Sequence, residues 1–113
     1  MRVIVAGSRS IVDYTIVEQA IQDSNIFISE LISGCAKGVD TLGEYYAQLR
    51  DIPIKKFPAD WQRHGRKAGY VRNMEMAKHA DALIAVWDGQ SSGTVHMINV
   101  AKERGLKVYT HFR

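Results

Sequence analysis

The chain has 113 residues, enough for one domain with a real core and too few for two full ones. Apolar residues make up 46% and charged residues 24%, near the globular average, which argues against a disordered chain. The formal net charge is +3 and there is one cysteine, Cys35, which excludes an internal disulfide. No apolar run approaches the roughly 20 residues that span a bilayer. The opening MRVIVAGSRS is too short for a signal-peptide core. The expectation is a single domain over 1–113, soluble and cytoplasmic, with no membrane partner.

The elements follow in chain order. Val3 to Ala6 is an unbroken apolar run that ends at Gly7, a first strand. Tyr14 to Ser24 places Ile16, Val17, Ala20 and Ile21 on one helical face, with Thr15 and Glu18 at capping-box spacing. Phe27 to Ile32 reads as a second strand. Asp40 to Leu49 reads as a helix with Asp40 as N-cap and Leu42, Tyr45, Tyr46 and Leu49 inward. Ile54 to Phe57 is a third strand, followed by a long polar loop from Ala59 to Gly69. Val71 to His79 is a helix with Met74 and Ala77 inward. Ala82 to Trp87 is a fourth strand. Val95 to Arg104 is a last helix, with Gly105 in the C-terminal capping place. Lys107 to Thr110 is a fifth strand.

Continuous apolar strands separated by helices predict an α/β fold with a parallel sheet covered on both faces. Right-handed crossovers then give one Rossmann-like, doubly wound, five-stranded sheet of order 3-2-1-4-5. Such sheets bind ligands beyond the carboxyl ends of the strands, where the order reverses. That directs attention to three loops. They carry Gly7, Ser8 and Arg9; then Ser33, Gly34, Lys37 and Gly38; then Asp88, Gly89, Ser91, Ser92, Gly93 and Thr94. Each feeds a helix N-terminus, where free N–H groups and the positive dipole end suit an anion. Turn geometry alone also favours glycine and serine. Neither G-x-x-x-x-G-K-[ST] nor G-x-G-x-x-G is present, so a P-loop NTPase and ordinary dinucleotide binding are not supported.

Charge is concentrated in one place. Between residues 61 and 80, Arg63, Arg66, Lys67, Arg72 and Lys78 face only Glu75, and the rest of the chain is close to neutral. One basic segment on a neutral body fits an anionic ligand site or a solvated surface loop. The four histidines do not show metal-site spacing, so no metal or cofactor is expected. His64 is the one histidine in a candidate site. Cys35 lacks a local base, although its place near a helix N-terminus would lower its pKa.

Gly7-Ser8-Arg9, the stretch Ser33 to Asp40, Phe57 to Trp61 with His64-Gly65-Arg66, then Arg72-Asn73, and Asp88-Gly89-x-Ser91-x-Gly93-Thr94 resemble the YspA/YpsA-related branch of the SLOG superfamily. The resemblance runs through nearly the whole chain. It implies a Rossmann-like domain that binds nucleotides or nucleotide derivatives. Its relatives include LOG phosphoribohydrolases, the DNA-processing protein DprA and sensor domains of bacterial defence systems. It adds a fourth wall to the site, with Trp61, Arg66, Arg72 and Asn73. Two departures stand out in the second loop. Cys35 stands where the family pattern has glycine, and Lys37 where it has arginine. A third concerns chemistry. LOG enzymes carry a catalytic Glu three residues after the Gly-Thr of the last loop, and that place is Met97 here.

Three readings follow. The first is non-catalytic binding of a nucleotide or nucleotide-derived signal, as sensor or sponge, in phage–bacterium defence signalling. The second is a nucleotide hydrolase, with Asp88 or Glu44 as the acid. The third is DprA-like binding of single-stranded nucleic acid through the basic loop and Trp61. A homo-oligomer is also expected, because Tyr45, Tyr46, Tyr70, Met76 and Met97 would need cover.

Overall fold

A computed structural model describes all residues, Met1–Arg113. Five strands, β1 (Arg2–Gly7), β2 (Glu30–Ser33), β3 (Ile54–Lys56), β4 (Ala82–Trp87) and β5 (Lys107–Phe112), form one sheet. Its order is β3-β2-β1-β4-β5 and every pairing is parallel, as the sequence predicts. The helices are α1 (Tyr14–Ser24), α2 (Val39–Leu49), α3 (Trp61–His64), α4 (Ala68–His79) and α5 (Ser92–Glu103).

The period of two along the strands sorts the core into two layers. Val3 and Val5 face one way and pack with Leu31, Ile84 and Val86 under α1 and α2. Ile4 and Ala6 face the other way and pack with Ile32, Leu83 and Ala85 under Met76 of α4 and Met97 of α5. Both central strands are therefore buried on both faces, which explains why they read as unbroken apolar runs.

Several local expectations are corrected. The loop from Ala59 to Gly69 contains α3 and a 3-10 turn at Gly65–Lys67, and α4 starts at Ala68 rather than Val71. Asp60 nucleates this segment by accepting the amide of Arg63 at 3.0 Å. The second strand is shorter than predicted, and Phe27 is exposed. Asp13, not Thr15 with Glu18, caps α1: its carboxylate accepts the Thr15 amide at 3.0 Å, worth about 1 kcal/mol. Glu18 instead pairs with Arg50 at 3.3 Å. Gly38 is the N-cap of α2, and Asp40 sits buried inside its first turn. Tyr45, Leu49 and Met74 are exposed rather than inward. The first turn of α5 starts three residues before Val95, capped by Ser91. Met76 and Met97 complete the core of one chain, so they give no reason for a second. The homo-oligomer expectation keeps only the tyrosines.

Candidate ligand-binding cleft

The sheet order reverses between β1 and β4, and a cleft of about 590 Å³ opens there at the carboxyl ends of the strands. Its size is that of a small-molecule site. Gly7, Arg9, Asp88, Ser91, Ser92, Gly93 and Thr94 line it from the loops after β1 and β4. Trp61, Arg66, Arg72 and Asn73 line the opposite wall. Ser8, Ser33, Gly34, Lys37, Gly38 and Gly89 do not reach it.

Most of that second group has structural work instead. Ser8 is buried, and its hydroxyl accepts the Asp88 amide at 3.0 Å, tying the loop after β1 to the loop after β4. Its own amide donates to the Val86 carbonyl and its carbonyl accepts the Val39 amide. A side chain at Gly38 would strike the carbonyls of Ser8 and Arg9 at 2.6 Å, and its φ of +74° suits glycine. Ser33 donates to Glu44 at 2.6 Å and accepts the Cys35 amide at 3.1 Å. Glu44 also pairs with Lys56 at 3.5 Å and lies outside the cleft, so one of the two proposed acids is elsewhere.

Asp88, the other acid, is a loop organiser. It accepts the amides of Gln90 at 2.8 Å and Ser91 at 3.0 Å, and the Ser10 hydroxyl at 2.8 Å. These bonds, led by the Gln90 amide and the Ser10 hydroxyl, favour the ionised form and bring its pKa down to about 2. Asp40 lines the cleft floor and accepts the Ala36 amide at 3.2 Å. Burial pushes its carboxyl up, against the pull of that bond and of the Arg72 charge.

The basic residues are placed differently. The four ion pairs of the chain join Arg2 to Asp81, Arg50 to Glu18, Lys56 to Glu44 and Lys78 to Glu75. Arg9, Arg66 and Arg72 all face the cleft and belong to none of them. Arg72 is half-buried, donates to the Gly34 carbonyl and donates through Nε to Asn73 Oδ1 at 3.1 Å. Burial draws its pKa down, but a guanidinium stays charged. Gly34 is required because its missing Cβ would lie 2.6 Å from the Arg72 guanidinium and 2.9 Å from Asp40.

At the head of α5 the Ser91 hydroxyl accepts the Thr94 amide at 3.3 Å. The Ser92 and Gly93 amides have no partner, so two N–H groups at a helix N-terminus stand free beside the three guanidiniums. The far wall is aromatic. Trp61 is 53% and Tyr70 45% exposed, and Tyr70 stacks on His96 with ring centres 4.3 Å apart.

The site residues chosen from the sequence leave out Ser10, Tyr70, Gln90 and Met76, while Met97 lines the cleft at the place of the LOG glutamate. Ser10 stood in the sequence one residue beyond the chosen motif. Tyr70 stands in the sequence among the residues that need cover, and its spacing of three from Asn73 on one helix is the available signal. His64 lines a small neighbouring cavity, not this cleft. Cys35 is exposed with a φ of +64°, and burial of its thiol raises rather than lowers its pKa. A left-handed residue is what glycine would serve at that place.

Fold and cleft together define a doubly wound α/β domain with an open cleft at the topological switch point. The chain belongs to the YspA, cpYpsA-related SLOG family, whose model matches residues 1–64. Gene 61 protein of Mycobacterium phage D29 is 34% identical over 116 residues, covering 95% of this chain and 93% of that one. The X-ray structure of DNA processing protein A (DprA) from Streptococcus pneumoniae superposes with a TM-score of 0.76 at 18% identity. That match covers 96% of this chain and 49% of DprA, so the chain spans about half the length of that protein. No helix is long and apolar enough to cross a membrane.

Proposed function

We propose that the cleft binds a nucleotide or nucleotide-derived molecule and does not turn it over. One observation carries this reading: three guanidiniums that belong to no ion pair face the same cleft as two free amides of α5. Phosphate oxygens would satisfy both sets at once. The exposed rings of Trp61 and Tyr70 supply a surface on which a base stacks.

Absence of turnover follows from the acids. Cleaving a base from ribose builds positive charge that a carboxylate must stabilise, or needs water activated by one. Met97 and Met76 floor the cleft, and a thioether does neither. Asp88 has both oxygens engaged, Glu44 lies outside the cleft, and Asp40, the remaining carboxyl of the lining, is almost fully buried and holds the Ala36 amide. A sensor or a sponge is the role left, and with a phage protein among the relatives we place it in phage–bacterium defence signalling.

A second reading is single-stranded nucleic acid, favoured by Trp61 and Tyr70 exposed beside Arg66 and by the fold shared with DprA. A cleft of about 590 Å³ accommodates one nucleotide unit better than a run of stacked bases. Calorimetry with AMP, ADP, ADP-ribose, cyclic dinucleotides and a short single strand separates the two. Saturable binding of a small nucleotide, with no free adenine released from AMP, is expected. Binding of the strand alone would favour the second reading, and release of adenine over many turnovers would restore an enzyme.

A further inference from the structure

We propose that Asn73 and His96 form a positioning pair that sets the Arg72 guanidinium against the N-terminus of α5, so that the cleft presents one rigid anion-binding surface. The inference rests on the cleft being an anion site. Asn73 is only 6% exposed, and every polar atom of its side chain is used. Its Oδ1 accepts Arg72 Nε at 3.1 Å. Its Nδ2 donates to the Gly93 carbonyl at 3.4 Å and faces His96 Nδ1 at 3.1 Å.

The amide cannot be turned over in this setting. Arg72 Nε only donates and the Gly93 carbonyl only accepts, so Oδ1 must face the arginine and Nδ2 the carbonyl. The second Nδ2 hydrogen then points at His96, and Nδ1 of His96 must accept it. That fixes a neutral imidazole with its proton on Nε2. Burial, which holds the His96 pKa below its ordinary value, agrees with the neutral ring.

The pair joins two features that neither residue supplies alone. Arg72 comes from α4, and the free amides come from α5. Asn73 bridges the two helices at the point where both touch the cleft, and His96 holds the bridge in place by accepting its remaining N–H. Tyr70, whose ring lies tilted against the His96 ring, is oriented by the same group.

Two substitutions split the roles of the imidazole. His96→Asn keeps an acceptor where Nδ1 lies and removes the ring. His96→Phe keeps a ring to stack on Tyr70 and removes the acceptor. Sulfate is the probe, because its charge is constant near neutral pH. His96→Phe is expected to weaken sulfate by up to about tenfold, the upper end for one lost neutral hydrogen bond, while His96→Asn stays close to wild type. Nitrogen-15 spectra of the wild-type imidazole should show the Nε2–H tautomer, and the Arg72 Nε–H signal should lose its exchange protection in His96→Phe alone. Full affinity in His96→Phe with loss in His96→Asn would overturn the proposal in favour of simple ring packing. If wild type binds no sulfate, the anion-site reading fails, and the tautomer and the Arg72 signal still decide the positioning role.

Discussion

The two sides of the cleft are built on opposite principles. The side formed by the loops after β1 and β4 is wired to itself: Ser8 to Asp88, Asp88 to Ser10, Gln90 and Ser91, and Ser91 to Thr94. The facing side, from α3 and the head of α4, ends in groups with nothing to bind, Arg66 and Trp61. Arg9 belongs by sequence to the wired side and by behaviour to the open one. Glycine and serine at a strand edge therefore carry two meanings, and only the bonding pattern separates scaffold from site.

Substitutions can break this contrast, beginning with the scaffold. Gly7→Ala forces a methyl group onto the Val86 carbonyl and within 2.8 Å of Val39 Cγ2. A loss of about 3 kcal/mol or more in urea unfolding is expected, as for overpacking against backbone. A cost below about 0.5 kcal/mol would mean that β1 and β4 are not so closely apposed.

The sharpest contrast lies between neighbours in sequence. Ser8→Ala leaves the buried end of the Asp88 amide unpaired and should cost about 1–3 kcal/mol of stability. Arg9→Ala should leave stability within about 0.5 kcal/mol and weaken nucleotide binding by about 1.5–3 kcal/mol. Unfolding curves and calorimetry on the two variants read both quantities. If the two effects fell on the opposite residues, the division into scaffold and site would be wrong.

Acid should loosen the wired side first. An unfolded aspartate titrates at about 3.9, and Asp88 in the folded chain at about 2. Between those values the unfolded chain binds more protons, so stability rises with pH across the window. The contribution is complete above about pH 4 and is lost as the pH falls through about 2. Asp88→Asn should remove this slope from the difference between the two unfolding profiles. An unchanged slope would assign the acid sensitivity elsewhere.

The smallest effect is expected at Cys35. It holds a φ of +64° where glycine is at ease, so Cys35→Gly should stabilise the chain by up to about 1 kcal/mol. A loss of stability would show that the exposed side chain contributes more than the backbone strain costs.

The fold was legible in the sequence because its signals are local. Val3 to Ala6 and Ala82 to Trp87 are buried on both faces, so the hydrophobic pattern reports the central strands directly. Weak signals misled where tertiary contacts decide. Thr15 and Glu18 sit at capping spacing, but Asp13 lies closer to the chain reversal and takes the cap. The polar stretch after Ala59 reads as a loop, because α3 is four residues long and exposed on nearly every side. Within the site, Arg72 was visible as unbalanced charge and Arg9 as part of the loop that ends the first strand. The pairing of Ser33 with Glu44 was not, since the two are 11 residues apart and meet only when α2 folds back on β2. His96 was hidden for the same reason: its partner Asn73 lies on another helix, 23 residues away.

Native mass spectrometry of protein purified from cells, with wild type beside Arg9→Ala/Arg72→Ala, tests the central claim most directly. The wild-type chain should carry a bound species that fragments to a phosphate-containing nucleotide, and the double variant, folded to the same degree, should carry none. A wild-type chain with no such species, or a double variant that retains it, would contradict a nucleotide site built on those guanidiniums.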